Sequence, residues 1–377
     1  MKWTDEFLDK KRLQADPLAD DAVNNLITEN GEEASRKIFD QLIRNIELPL
    51  EKLPIQIQEF MNQTADLPSW LSQEDLEKSN LFFKDHGPKL LLLLYFKSLP
   101  LLYSDVKGAQ VLVKTSRLTH QNESLEIFAR RIAETGQFLL TVMANDNFQK
   151  NSKAIHVIRK VRLIHAAIRH FIGKEWDTTQ LGKPINQEDM ALTLLTFSVS
   201  LIDGLHQLHI LEKDELVHAY FERWKAIGLL LGIDTDLIPA DIDEGRLLLT
   251  KILERNAGTS DAGVLLTKAL IDFSKNAIPG KVFDIAPESL IAYFTGAKIS
   301  TYLNVSNQPG CSGFVIPAML ASIFHVGEHL EGNSRKIDHI ANTLSNNLMH
   351  AMVKYFNRYK NITFEIPGEF RSLWIPT

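Results

Sequence analysis

The residues best equipped for chemistry lie close together: Arg162, His165, Arg169 and His170, inside SKAIHVIRKVRLIHAAIRHFI at 152–172. Ile158, Val161, His165, Ile168 and Ile172 follow one another in steps of three and four, the spacing that shares one helix face. An imidazole in the middle of an apolar stripe has two readings. It is a hydrogen-bonded histidine of the core, or it is a ligand to a flat, apolar, metal-bearing group such as an iron porphyrin. In the second reading the ring nitrogen ligates iron, the aliphatic side chains pack the macrocycle, and an arginine pairs with a propionate. Arg162 and Arg169 stand three before and four after His165, and His170 follows at once. Ser152 and Gly173 bound the stretch as cap and stop, so a helix with this stripe turned into the core is expected.

A second set lies one helix earlier, at 123–144. Leu125, Phe128, Ile132, Thr135, Leu139 and Val142 form the stripe there, which gives Thr135 a core position, with Arg131 one turn before it and Glu134 beside both. Each residue also has a plain explanation. A buried threonine bonds its own i−4 carbonyl, and the two charged side chains reach water. Other constellations carry less. His206 and His209, just past Gly204, read as a solvated helix end rather than a metal pair. His325 and His329 in HVGEH have metal-binding spacing, but Glu328 is misplaced for H-E-x-x-H. Cys311 in PGCSG is a glycine-flanked thiol with no supporting motif. There is no glycine-rich phosphate loop, no G-x-S-x-G elbow and no internal repeat.

Helical periods dominate and no period-two alternation is sustained, so these residues must be positioned by helices. Expected elements include helices over 18–45 broken near Asn30 and Gly31, and a helix from Ser72 that Gly87 and Pro88 stop. The all-apolar run 90–96 reads as a central helix broken or kinked at Pro100. One helix capped by Asn186 runs through 184–205, and another ends at Gly232. The tail 361–377 is expected to wrap the surface, anchored by Phe370 and Trp374. Of the 377 residues 45% are apolar and 23% charged, ordinary for a chain that buries a full core. The net charge of −6 supplies no basic excess for nucleic acid or anionic membranes. One cysteine excludes an intrachain disulfide, no apolar run is long enough to span a bilayer, and no leader pattern opens the chain. Cytoplasm is the default expectation.

Taken in order, the longer motifs resemble the family that includes latex clearing protein, the bacterial rubber oxygenase, and the mycophenolic-acid pathway oxygenase. The resemblance rests on R-x-x-H-x-x-x-R-H at Arg162, His165, Arg169 and His170, on Arg131 with Thr135, and on KPINQEDMALTLLTFS at 183–198. It continues in FERW…GLLLGI…LIPADI at 221–242 and in the N-terminal WTDEFLD, and covers roughly 3–310.

The resemblance implies an all-α protein: a large single helical domain with a globin-like core carrying one haem b, and extra helices at both ends. Boundaries follow as an N-terminal extension 1–70, a haem-binding oxygenase-like domain 71–360 and a tail 361–377. His165 matches the proximal iron ligand, with Arg162, Arg169 and His170 framing it. Arg131 and Thr135 match distal residues needed for activity. The implied reaction uses dioxygen to cleave an isoprenoid carbon–carbon double bond into carbonyl products. Two departures stand out. Glu134 replaces the lysine of the rubber-cleaving members, and the position expected for their upstream glutamate falls near Thr115. Glu134 is therefore the candidate base. The substrate expected is a small isoprenoid or other unsaturated lipid. The alternatives are a non-catalytic haem sensor or carrier, and a helical interaction protein without cofactor.

Overall fold

The computed structural model describes residues 2–44, 50–64, 66–115, 124–144, 148–150, 152–208, 210–277 and 287–305, with Pro367 and Phe370. Among these the regular structure is helical and no strand forms; a single isolated bridge joins Asp105 and Ala257. In chain order the helices are α1 (Asp5–Arg12), α2 (Pro17–Asn30), α3 (Glu32–Arg44), α4 (Ile55–Gln63) and α5 (Gln73–Leu93). A π-helical turn, Leu94–Ser98, leads into α6 (Leu99–Tyr103), α7 (Gly108–Lys114), α8 (Ser124–Met143) and α9 (Lys153–Gly173). There follow α10 (Thr178–Leu181), α11 (Gln187–Phe197), α12 (Val199–Gln207), α13 (Asp214–Leu230), α14 (Ile242–Asn256), α15 (Asp261–Ala277) and α16 (Pro287–Tyr302).

The boundaries follow the capping residues. Asp16 accepts from the Ala19 amide before α2, Pro17 takes the first helical position, and Gly31 ends the helix with φ +82°. Asn186 caps α11: its Oδ1 accepts from the Asp189 amide at 3.0 Å while its amide nitrogen donates to the Asp189 carboxylate at 2.8 Å. Two expected boundaries fall differently. Gly87 and Pro88 do not stop α5, which runs on to Leu93. A proline inside a helix costs about 3 kcal/mol. Leu90, Leu91, Leu92 and Leu93 are each 3% exposed or less, and full burial of one leucine is worth roughly 1.5–3 kcal/mol, so packing wins. Pro100 is absorbed by the wide turn Leu94–Ser98 just before it, and it sits in the first turn of α6, where its missing N–H costs nothing. The run 184–205 is two helices, because Ser198 leaves helical geometry at φ −110°, ψ −86°.

The chain divides into two compact units that interleave along the sequence. The first takes 1–81, 138–195 and 218–251; the second takes 82–137, 196–217 and the described residues from 252 on. Residues 1–70 share a unit with α9. The first unit has a core of Ala19, Val23 and Leu26 of α2, Phe39 and Leu42 of α3, Ile57, Phe60 and Met61 of α4, and Leu163, Ala166 and Ala167 of α9. In the second unit the turn Leu94–Ser98 packs against α6, α12 and α16, and α15 packs against α6, α7 and α16. Phe370 is fully buried with its ring 5.4 Å from that of Phe83, as the tail's expected anchor; Trp374 lies outside the described residues. No helix among the described residues is long and apolar enough to cross a membrane.

Candidate functional site

Helix α9 sorts its residues into faces, and the face expected in the core is not the one that packs hardest. Ser152 accepts from the Ile155 amide at the helix start, as expected. Leu163, Ala166 and Ala167 enter the core of the first unit, where the alanines let α2 and its Ala19 and Ala22 come close. His165 is two residues beyond Leu163, about 200° round the helix. Of its stripe only Ile158 is fully buried; Val161, His165, Ile168 and Ile172 are half-buried. An apolar, half-buried face carrying one imidazole is the result.

The flanking arginines tie this face in place. Arg162 meets the buried Asp16 with both forks, Nε to Oδ2 at 2.5 Å and Nη2 to Oδ1 at 2.8 Å, and its Nη1 donates to the Leu230 carbonyl. The pair lies against Gly232, at φ +85°, where an added Cβ would stand 2.5 Å from Asp16 Oδ2 and 2.6 Å from Arg162 Nε. Only glycine fits that conformation and that space. Arg169 donates from Nε to Asp20 Oδ1 at 2.7 Å and from Nη1 to the carbonyl of Ile185, a branched residue held at φ +51°. Its Nη2 is shut off from solvent and has no hydrogen-bond partner. Burial holds the Asp20 carboxyl above its usual range despite the arginine beside it. His170 is five residues from His165 and so about 140° away on the helix. Its Nδ1 sits 3.1 Å from Asn24 Oδ1 of α2, edge-on to Phe171. It is on the α2 side, apart from the His165 stripe.

Sequence reasoning passed over Arg159, only 1% exposed. Its Nε donates to the Ile155 carbonyl, and Nη1 donates to the Met61 carbonyl in the last turn of α4, where the helix dipole favours a cation. Burial pushes the Arg159 guanidinium down from its ordinary value. The signal was the spacing Ile155, Arg159, Leu163, Ala166, a second inward stripe with a charge in it.

Arg131, Glu134 and Thr135 lie on the part of α8 that belongs to the second unit, so they and the α9 set fall in different units. All three are half-buried. The Thr135 hydroxyl donates to the Arg131 carbonyl at 2.8 Å, the plain i−4 bond, and keeps its lone pairs as acceptors. Tyr103 is fully buried, which pushes its phenol up, while the positive charge of Arg131 pulls it down. Thr115 ends α7 with its hydroxyl on the Leu112 carbonyl. Of the weaker candidates His206 is exposed, and His209, Cys311, His325, Glu328 and His329 lie outside the described residues. Among the described residues no three histidine, cysteine or acidic side chains gather as a metal cage.

Fold and side chains define an all-helical protein whose candidate residues lie on helix faces. Residues 94–300 match the sequence model of the family described as ER-bound oxygenase mpaB/B'/Rubber oxygenase, catalytic domain, and the chain belongs to that oxygenase family. Arg131, Glu134, Thr135, Arg162, His165, Arg169 and His170 all fall within the match. The rubber oxygenase of Streptomyces sp. (strain K30) is 23% identical over 294 residues, covering 77% of this chain and 70% of that protein. A structure of latex clearing protein LCP in the closed state shares the fold, with TM-score 0.73 over 95% of both chains at 19% identity.

Proposed function

We propose that the protein is a haem b-dependent oxygenase that uses dioxygen to cleave or oxidise a carbon–carbon double bond of an isoprenoid or other unsaturated apolar substrate. The observation that carries this reading is His165 on an apolar, half-buried helix face, with the buried, unpartnered Nη2 of Arg169 one turn further on. That donor set fits a haem: imidazole for the iron, Ile158, Val161, Ile168 and Ile172 for the macrocycle, and a guanidinium nitrogen for a propionate oxygen. When bound, the haem supplies dioxygen activation. Arg162 has no nitrogen to spare and acts by fixing α9 through Asp16, while His170 sets the outer side of the helix against Asn24. Arg131 orients polar groups of the bound reactants, Thr135 accepts a hydrogen bond at its oxygen, and Glu134 holds or takes a proton at its carboxylate. The second reading is a haem-binding sensor or carrier that does not turn over.

His165→Ala is the test. It should abolish the Soret absorbance of the purified protein and oxygen uptake with an isoprenoid alkene, while far-ultraviolet circular dichroism stays that of the wild type. A variant that retains full haem would remove His165 as the ligand. Haem with no oxygen uptake in the wild type would select the sensor.

A further inference from the structure

In the second unit the π-helical turn Leu94–Ser98 carries a lysine that none of the chemistry above uses. Lys97 is 7% exposed. A wide turn inside a helix is uncommon and is found often at functional sites, and this one follows directly on the all-leucine end of α5. Among the described residues it packs most on α6, α12 and α16. From α12, Gln207 Oε1 accepts from the Lys97 ammonium at 2.5 Å, and Asp203 acts on it by charge. From α16, the Tyr293 hydroxyl donates to the Gln207 backbone carbonyl at 2.8 Å rather than reaching the amine. From α6, Tyr103 is buried with its phenol pushed up, and so stays neutral. Among the described residues the amine therefore has a neutral amide as its hydrogen-bond partner. Desolvation outweighs Asp203 and pushes the amine down to about 8.

We propose that Lys97 is a Schiff-base site, an amine that condenses with the carbonyl carbon of aldehydes and small ketones. The neutral amine's lone pair adds to that carbon, and the carbinolamine loses its hydroxyl, with a proton taken from solvent, as water. A protonated imine is left, with one N–H that keeps the bond to Gln207. Amine, carbonyl compound and proton balance against iminium and water, with no oxidant or reductant required. Burial of the amine slows the return of water. The amine's reactivity stands on its own; only the identity of its natural electrophile, a carbonyl product of alkene cleavage, rests on the proposed oxygenase reading.

Full-length protein as purified, incubated with propanal and sodium cyanoborohydride between pH 6 and 10, tests the proposal by peptide mapping of propylated lysines. The exposed Lys10, Lys37 and Lys174 serve as internal references. At pH 7 about a tenth of an amine titrating near 8 is neutral, against roughly one part in three thousand for an ordinary lysine. Allowing for restricted access, Lys97 should lead the references by about ten-fold or more at pH 7, and its rate should level off above pH 8 while theirs still climb. Lys97→Arg should lose the adduct and leave the reference lysines unchanged. Modification of the references with Lys97 untouched, or a Lys97 rate that tracks theirs at every pH, overturns the proposal. The propanal arm needs no turnover, so its failure is separate from any failure of the isoprenoid assay.

Discussion

Glu134 and Thr135 are neighbours under different constraints. The threonine proton is committed to a backbone carbonyl, whereas in the proposed reaction the carboxylate is the base. A positioned base is worth about two to four orders of magnitude in rate. Glu134→Gln keeps the shape and removes the charge, so oxygen-dependent alkene cleavage should fall by roughly that factor with haem content unchanged. A variant as fast as wild type would make Glu134 a bystander. Residue by residue, legibility in the sequence tracked chemistry that is local. The i−4 bond of Thr135 was foreseeable from the helix alone, and so was the Asn186 cap. The partners of Arg162 and Arg169 were not, because Asp16 and Asp20 lie about 150 residues away in sequence. Nothing in the spacing around His165 distinguishes a guanidinium aimed at a propionate from one clamped by a distant aspartate. In the structure both guanidiniums are clamped by an aspartate; each nitrogen of Arg162 has a partner, and Nη2 of Arg169 has none.

At the scale of the helix, α9 shows why a stripe is a weaker guide than it looks. A helix with Ile, Val and Leu on several sides offers more than one apolar face, and the partner decides which is core. Here the small residues decided, since Ala166 and Ala167 admit α2 where bulkier side chains would hold it off. The stripe holding His165 was left half-buried apart from Ile158. Prolines misled in the other direction, because local propensity at Pro88 is overruled by four buried leucines that act together. The clamp between α9 and the start of α2 gives a test of its own. Gly232→Ala places a Cβ against both Arg162 and Asp16 and forces an L-residue to φ +85°. The backbone alone should cost about 1–2 kcal/mol, and displacing a buried ion pair adds to it. Urea unfolding should show the loss as a lower midpoint. Combining Gly232→Ala with Asp16→Ala should cost less than the sum of the two, since the clash partner is gone. Strict additivity would show that Gly232 serves its turn and not the clamp.

For the molecule as a whole, acid stability joins groups from both units. His86 of the second unit is 4% exposed with its Nε2 2.9 Å from Glu212 Oε1, and His156 of the first is half-buried. Burial lowers His86, helped by the charge of Lys89 and opposed by Glu212 and Asp85; burial lowers His156, helped by Arg159 and Lys160 and opposed by Glu51. Both therefore fold neutral, against an ordinary value of 6.5 in the unfolded chain. Between the folded and unfolded values the unfolded chain binds more protons, so stability rises with pH there and is lost as pH falls below about 6.5. Glu244, held low by the Ala240 amide and Lys2, gives up its share only below the ordinary carboxylate value of 4.5. Asp20 works in the opposite sense. Its raised carboxyl makes the folded state bind its proton more readily, which adds stability as pH falls and blunts the carboxylate losses. The first acid loss on leaving neutrality should therefore belong to the two histidines. Urea midpoints should drop between pH 7.5 and 5.5 in the wild type and drop less in the double variant His86→Gln, His156→Gln. An equal drop in both would place the early loss elsewhere and remove the buried imidazoles from the account of acid stability.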